Sequence, residues 1–214
     1  MIVAFVGQKG GSGKSTLAIC VAAELAARGR RVLLVDADPQ KTAVTWHEVG
    51  SEAGHEGPTV VAMTGALHKQ NQLPQLAAGY QDVVIDTPPR LGDVQRSALM
   101  CASLAVLPCG PSAPDAWALA ESVQTVTEAL DYRPELRAAI VLNKRRAGTA
   151  AAAGARAALG AAGLPVLKTE LGLRQAFSEA LAAGLGVGAY APKDRAAAEV
   201  RALVNELLKM MGGK

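Results

Sequence analysis

Ten residues, Gly7-Gln8-Lys9-Gly10-Gly11-Ser12-Gly13-Lys14-Ser15-Thr16, follow a short apolar run and lead straight into a helical pattern, LAICVAAELAARG. Glycines let backbone N–H groups curl around an anion, and the first turn of a helix adds unpaired donors and the positive end of its dipole. The natural guest is a polyphosphate. Gly10, Gly11, Ser12, Gly13, Lys14, Ser15 and Thr16 are expected to line it, with Lys14 reaching the β- and γ-phosphates and the Ser15 hydroxyl ligating Mg²⁺. The pattern GxxxxGK[ST] fails by one position, because Gln8 stands where its first glycine belongs, and an additional lysine, Lys9, lies inside the loop. Two ammonium groups aimed into one phosphate pocket repel unless further negative charge compensates. Lys9 is therefore expected to act across an interface.

Carboxylates follow at the ends of two further apolar runs. Leu33-Leu34-Val35-Asp36-Ala37-Asp38-Pro39-Gln40 puts two of them at i and i+2. At the C-terminal end of a strand, where open α/β sheets bind ligands, they could hold the waters of Mg²⁺ or orient an attacking water; on its own the same segment reads equally as a turn. Val83-Val84-Ile85-Asp86 ends a second run in a single acid, suited to gripping Mg²⁺ through water. Ser15, Asp36 and Asp86 are thus the metal candidates. A later strand runs into Asn143-Lys144-Arg145-Arg146. A guanine-reading motif would need a carboxylate at position 146, and Arg146 cannot accept guanine's hydrogens, so ATP is favoured over GTP, with Asn143 a candidate adenine contact.

The KGGxGK[ST] loop, the DADPQ segment and Pro108-Cys109-Gly110-Pro111-Ser112-Ala113-Pro114-Asp115 together resemble the deviant Walker A ATPases of the ParA/MinD family. With no N-terminal extension, the chain is most similar to the small ParF-like branch. The resemblance implies that Lys9 crosses a nucleotide-sandwich homodimer to the partner's ATP, that Asp38 positions the hydrolytic water, and that Asp36 supports it. Lys9, Lys14 and Asp38 are then the catalytic candidates. It also implies a cycle in which ATP closes the dimer, the dimer binds DNA without sequence preference, and a ParB-like or cargo-adaptor protein stimulates hydrolysis. The cargo would be a plasmid, a chromosome, or a protein cluster such as a chemotaxis array or carboxysome, handled in the cytoplasm on the nucleoid. The rival readings are a MinD-like membrane-associated division ATPase and a P-loop ligase or iron–sulfur carrier.

These residues need a scaffold. Apolar runs near Met1–Val6, Arg31–Val35, Thr59–Met63, Asp82–Asp86, Leu104–Leu107, Ala138–Leu142 and Pro165–Leu167 read as strands. Segments of helical period alternate with them, the clearest at Lys14–Arg28, Pro114–Leu130, Ala150–Ala162 and Asp194–Met211. The Ala- and Gly-rich stretch Gly148–Gly163 reads as part of a helix and not as a linker. The alternation predicts one α/β domain over residues 1–214, a P-loop NTPase with a mostly parallel twisted sheet and helices on both faces.

Composition bounds the rest. Only 7 of 214 residues are aromatic, which argues against base-stacking platforms. Cys20, Cys101 and Cys109 form no CxxC pair, and the three histidines show no ligand spacing. Residues 1–136 carry 10 Lys and Arg against 14 Asp and Glu, whereas residues 137–214 carry 12 against 5. Such asymmetry suits a polyanion partner as well as it suits a merely solvated surface. The candidate phosphate contacts are Lys144, Arg145, Arg146, Arg156, Arg174, Lys193, Arg195 and Arg201. The apolar stripe Val200, Leu203, Val204, Leu207, Leu208 and Met211 is expected to pack on the sheet, since its helix lacks the dense basic rim of a membrane-surface helix, and no membrane is expected as a partner.

Overall fold

The computed structural model describes residues 1–69, 72–90, 92–146 and 150–212. Seven strands, β1 (Ile2–Phe5), β2 (Val32–Asp36), β3 (Thr59–Ala62), β4 (Asp82–Asp86), β5 (Leu104–Cys109), β6 (Arg137–Arg145) and β7 (Val166–Gly172), form one sheet in the order β3-β2-β4-β1-β5-β6-β7. Every pairing in it is parallel. Helices make the crossovers: α1 (Lys14–Ala27), α2 (Thr42–Glu52), α3 (Gln72–Ala77), α4 (Asp93–Cys101), α5 (Ala113–Tyr132), α6 (Ala150–Gly160), α7 (Gln175–Ala182), α8 (Val187–Tyr190) and α9 (Arg195–Met210).

Strand alternation sorts the core into two layers. Val3 and Phe5 of β1, Leu34 of β2 and Val84 of β4 face α1, α2 and α9, while Ala4, Leu33, Val35 and Ile85 face the opposite layer with Leu99 of α4 and Val126 of α5. Such double coverage explains why the strands read as unbroken apolar runs. The expected amphipathic stripe of α9 does pack inward: Val200, Leu203, Val204 and Leu207 are buried, and no helix among the described residues is long and apolar enough to cross a membrane.

Two strands run furthest past their expected ends. β6 continues to Arg145 and β7 to Gly172 because these polar termini pair with each other, Leu142 opposite Glu170 and Arg145 opposite Gly172, through a register shift that apolar patterning cannot show. Within the expected helix at Gly148–Gly163, α6 occupies Ala150–Gly160, and Gly148 and Thr149 lie outside the described residues. On the other face Trp46 of α2 donates its indole N–H to Leu185 O at 3.2 Å. There Gly184 (φ +66) lies so close to α2 that a Cβ would fall 2.3 Å from Gly50 N, so both its conformation and its clearance require glycine.

Candidate nucleotide-binding site

β1 stands between β4 and β5, so the chain leaves it toward one side of the sheet and later returns to the other, the switch point at which parallel sheets leave a crevice. The loop after β1 occupies that crevice. Gly11 and Gly13 hold φ of +73° and +100°, and Gly13 is the N-cap of α1 with no side chain capping it, so the first turn keeps its donors for a ligand. Lys14 is buried, and its ammonium donates to Lys9 O at 3.2 Å. Burial lowers its pKa, against the pull of the Asp86 and Asp38 charges. The Ser12 hydroxyl is buried without a hydrogen-bond partner among the described residues.

Register brings the acids together: Phe5 pairs with Asp86, and Asp86 with Asp36. Asp86 is wholly buried, and among the described residues neither of its carboxylate oxygens finds a hydrogen-bond partner. Burial pushes this carboxyl up to about 7; the Ser15 hydroxyl and the Lys14 charge oppose the rise, and Asp36 and Asp38 add to it. An orphaned acid beside a lysine and a serine hydroxyl suits a hydrated divalent cation, which would supply the missing charge and hydrogen bonds. Mg²⁺ held by Ser15 and Asp86 fits these groups.

Asp36 has another task. Its oxygens accept the N–H groups of Asp38 (3.1 Å), Ala43 (2.8 Å) and Val44 (3.0 Å), so its carboxylate is spent on fixing the turn into α2 and the start of that helix. Asp36, expected among the metal ligands, is in this structure engaged with backbone N–H groups. Asp38, still largely buried, accepts among the described residues only from Gln40 N at 2.9 Å, which leaves its second oxygen unengaged.

Lys9 is engaged within its own chain. Its ammonium donates to Asp115 Oδ1 at 2.6 Å, and Asp115 with Ser112 forms the capping box of α5. Asn143 sits on the phosphate loop, donating to Ser12 O at 2.8 Å, while Lys144 donates to Gly11 O at 2.6 Å. A slot of about 390 Å³ opens beside them, lined by Gly13, Thr16, Leu173, Arg174 and Phe177. Two contributors escape sequence reasoning altogether. Gln95 of α4 donates to Gly7 O (3.3 Å) and to Pro88 O, and the Thr87 hydroxyl to Phe5 O at 2.7 Å, tying together the loops that follow β1 and β4. Nothing in the spacing of Gln95 from Gly7 signals this contact.

The basic candidates divide. Arg145, Arg146, Arg174 and Arg195 line one hollow of about 510 Å³ with Glu170 and Glu199. Arg145 and Arg156 both pair with Glu170, and Arg174 with Glu199. Arg201 instead donates to Pro192 O. Cys109 is buried and its thiol is pushed up to about 12 by that burial, with Asp115 adding to it, which makes it a poor cluster ligand. No group of three or more His, Cys, Asp or Glu among the described residues is arranged to hold a metal ion.

The family model of the CobQ/CobB/MinD/ParA nucleotide binding domain matches residues 3–187. The maintenance of carboxysome distribution protein A of Halothiobacillus neapolitanus is 32% identical over 202 residues, covering 94% of this chain and 93% of that protein. Among solved structures, cobyrinic acid a,c-diamide synthase from Mycobacterium smegmatis with a bound ATP analogue and magnesium superposes with a TM-score of 0.78 at 21% identity, over 98% of this chain and 94% of that one. The ATP complex of Cyanothece McdA superposes with a TM-score of 0.77 at 15% identity, over 100% and 96%.

Proposed function

The chain belongs to the CobQ/CobB/MinD/ParA nucleotide-binding family, and we propose that it is an ATPase whose loaded form pairs into a homodimer, binds DNA without sequence preference and distributes a cargo in the cytoplasm over the nucleoid. The observation that carries this reading is the pair of lysines in the phosphate loop, Lys14 buried in the cradle and Lys9 held outside it on Asp115. One lysine suffices for a single triphosphate; the second is at hand for a neighbour's. The likeness to a carboxysome-distribution protein, over nearly the full length of both chains, supports a protein assembly as cargo over a plasmid or chromosome. Arg146, where guanine recognition needs an acid, supports ATP.

In this reading Lys14 binds the β- and γ-oxygens, Asp38 holds the attacking water, and the loop amides take up the charge that develops on the phosphates. Ser15 and Asp86 would hold Mg²⁺, which would supply positive charge against the phosphates. The hollow ringed by Arg145, Arg146, Arg174 and Arg195, four cations against two acids, supports backbone contacts to DNA. A cargo adaptor or ParB-like protein stimulates hydrolysis and releases the dimer. The test is the mass by light scattering at micromolar protein. It doubles with magnesium and a non-hydrolysable ATP analogue, Asp38→Ala holds the doubled mass in ATP, and only the doubled species binds DNA, with affinity falling steeply in salt. Equal mass with and without nucleotide would sink the reading.

A further inference from the structure

Two consecutive residues near the end of β6 spend their side chains on main-chain oxygens of the phosphate loop. The Asn143 amide nitrogen donates to Ser12 O at 2.8 Å, and the Lys144 ammonium to Gly11 O at 2.6 Å, contacts that reach across 131 and 133 residues of sequence. The orientation of the amide is fixed from behind, because Lys144 N–H donates to Asn143 Oδ1 at 2.9 Å and so turns the nitrogen toward the loop. Lys144 achieves this with a φ of +55°, a left-handed conformation that a residue bearing a side chain adopts only at a cost. Gly13 completes the fit: a Cβ there would fall 2.2 Å from Asn143 Nδ2.

A trans peptide is planar, so the carbonyl of one residue and the N–H of the next point in opposite directions. Drawing Gly11 O toward Lys144 turns the Ser12 N–H away from it, and drawing Ser12 O toward Asn143 does the same for the Gly13 N–H. These are donors that an anion at the start of α1 collects. A loop so rich in glycine would otherwise sample many conformations, and the ligand would have to order them at the expense of affinity. We propose that Asn143 and Lys144 are positioning residues that preset the phosphate loop, an inference that rests on reading this loop as a triphosphate cradle. Asn143 and Lys144 then act on phosphate binding through the loop, a role that requires no contact of Asn143 with the base and none of Lys144 with DNA.

The test separates phosphate from base. Titration calorimetry without DNA measures magnesium-ATPγS and magnesium-tripolyphosphate, which has no base, against the wild type, Asn143→Ala, Lys144→Gly and Lys144→Arg. Lys144→Gly tolerates the left-handed backbone and removes the side chain with its ammonium, whereas Asn143→Ala changes no charge. Each is expected to weaken both ligands by the same factor, about three- to tenfold for one lost bond, and Lys144→Arg is expected to restore them. If Asn143→Ala weakens ATPγS and leaves tripolyphosphate untouched, Asn143 is a base reader and the proposal falls. If Lys144→Gly leaves both affinities unchanged, the ammonium braces nothing. Should Asn143→Ala fail to fold, Lys144→Gly decides alone. A wild type that binds neither ligand overturns the triphosphate reading and the brace with it.

Discussion

Replacing Asp115 by asparagine is expected to tighten the nucleotide-dependent dimer. In the single chain the Lys9 ammonium lies 2.6 Å from Asp115 Oδ1, with the lysine side chain 39% and the aspartate 16% exposed. A lysine that serves a neighbour's triphosphate must first leave this carboxylate. A partly exposed pair of this kind is worth about 0.5–1 kcal/mol after screening. A two-fold dimer releases two of them, so removing the charge favours pairing by about 1–2 kcal/mol, roughly a five- to thirtyfold lower dissociation constant at about 1.4 kcal/mol per decade. Asparagine keeps an oxygen for the Ser112 N–H that Asp115 now accepts at 3.1 Å, so the α5 capping box survives; alanine would also lose the cap, at about 1 kcal/mol. Sedimentation velocity with ATP, in an Asp38→Ala background that slows turnover, reads the constant directly. Burial alone would raise the Asp115 pKa, but hydrogen bonds from Lys9 and Ser112 hold it below the usual range. The pair therefore persists throughout neutral pH, and the gain is equal at pH 6 and pH 8 and smaller in high salt. A dimer no tighter in Asp115→Asn than in its parent, with unchanged melting, refutes the idea that Asp115 restrains Lys9.

Glu206 of α9 accepts the N–H groups of Lys168 (2.7 Å) and Thr169 (2.9 Å) on the edge strand β7. Although burial opposes it, these bonds hold the carboxyl below the usual glutamate range. Such a depressed acid adds stability above its unfolded pKa, and that stability disappears as pH falls through the folded one. Glu206→Gln, which trades one charged acceptor for a donor, is expected to lower stability by about 1–2 kcal/mol at pH 7, with the deficit closing below pH 4.5; urea melts at both pH values check it. Leu203→Ala empties a fully buried site between α9 and the sheet. It should cost about 2–5 kcal/mol by the same melts, while any nucleotide affinity measured on the folded fraction stays within twofold.

The sheet was legible because parallel strands buried on both faces leave continuous apolar runs, and each of the seven expected runs corresponds to a strand. The phosphate loop was legible because its glycines, lysine and hydroxyls are contiguous and lie between a strand and a helix. Contacts between side chains and distant backbone were not. Asp36 reads as a metal ligand from its position at a strand end, yet its oxygens are taken by N–H groups at positions 38, 43 and 44. Asn143, Lys144 and Gln95 reach carbonyls about ninety or more residues away, for which a sequence carries no periodic signal. Polar residues of this kind are chosen by the topology that brings loop ends together, and the pattern of hydrophobicity that encodes the topology is silent about them.

Three lysines surround the phosphate loop, and each rests on an oxygen of the protein: Lys14 on the Lys9 carbonyl, Lys9 on Asp115, and Lys144 on the Gly11 carbonyl. Their positions relative to the buried acids decide which must move. Lys14 feels the charges of both Asp86 and Asp38 and is the most deeply buried of the three, so an arriving triphosphate recruits it first. That withdraws the only donor that Lys14 gives to the Lys9 peptide and frees the backbone beneath the second lysine. If Lys9 serves a neighbour's triphosphate, loading and release of Lys9 would be coupled through this 3.2 Å hydrogen bond. Lys144 holds the other end of the loop still. A Lys14→Met chain, which cannot make that bond, should show a lower amide order parameter at Gly10 without any nucleotide, whereas an unchanged one would mean that the loop is held by other contacts and that loading and release are independent.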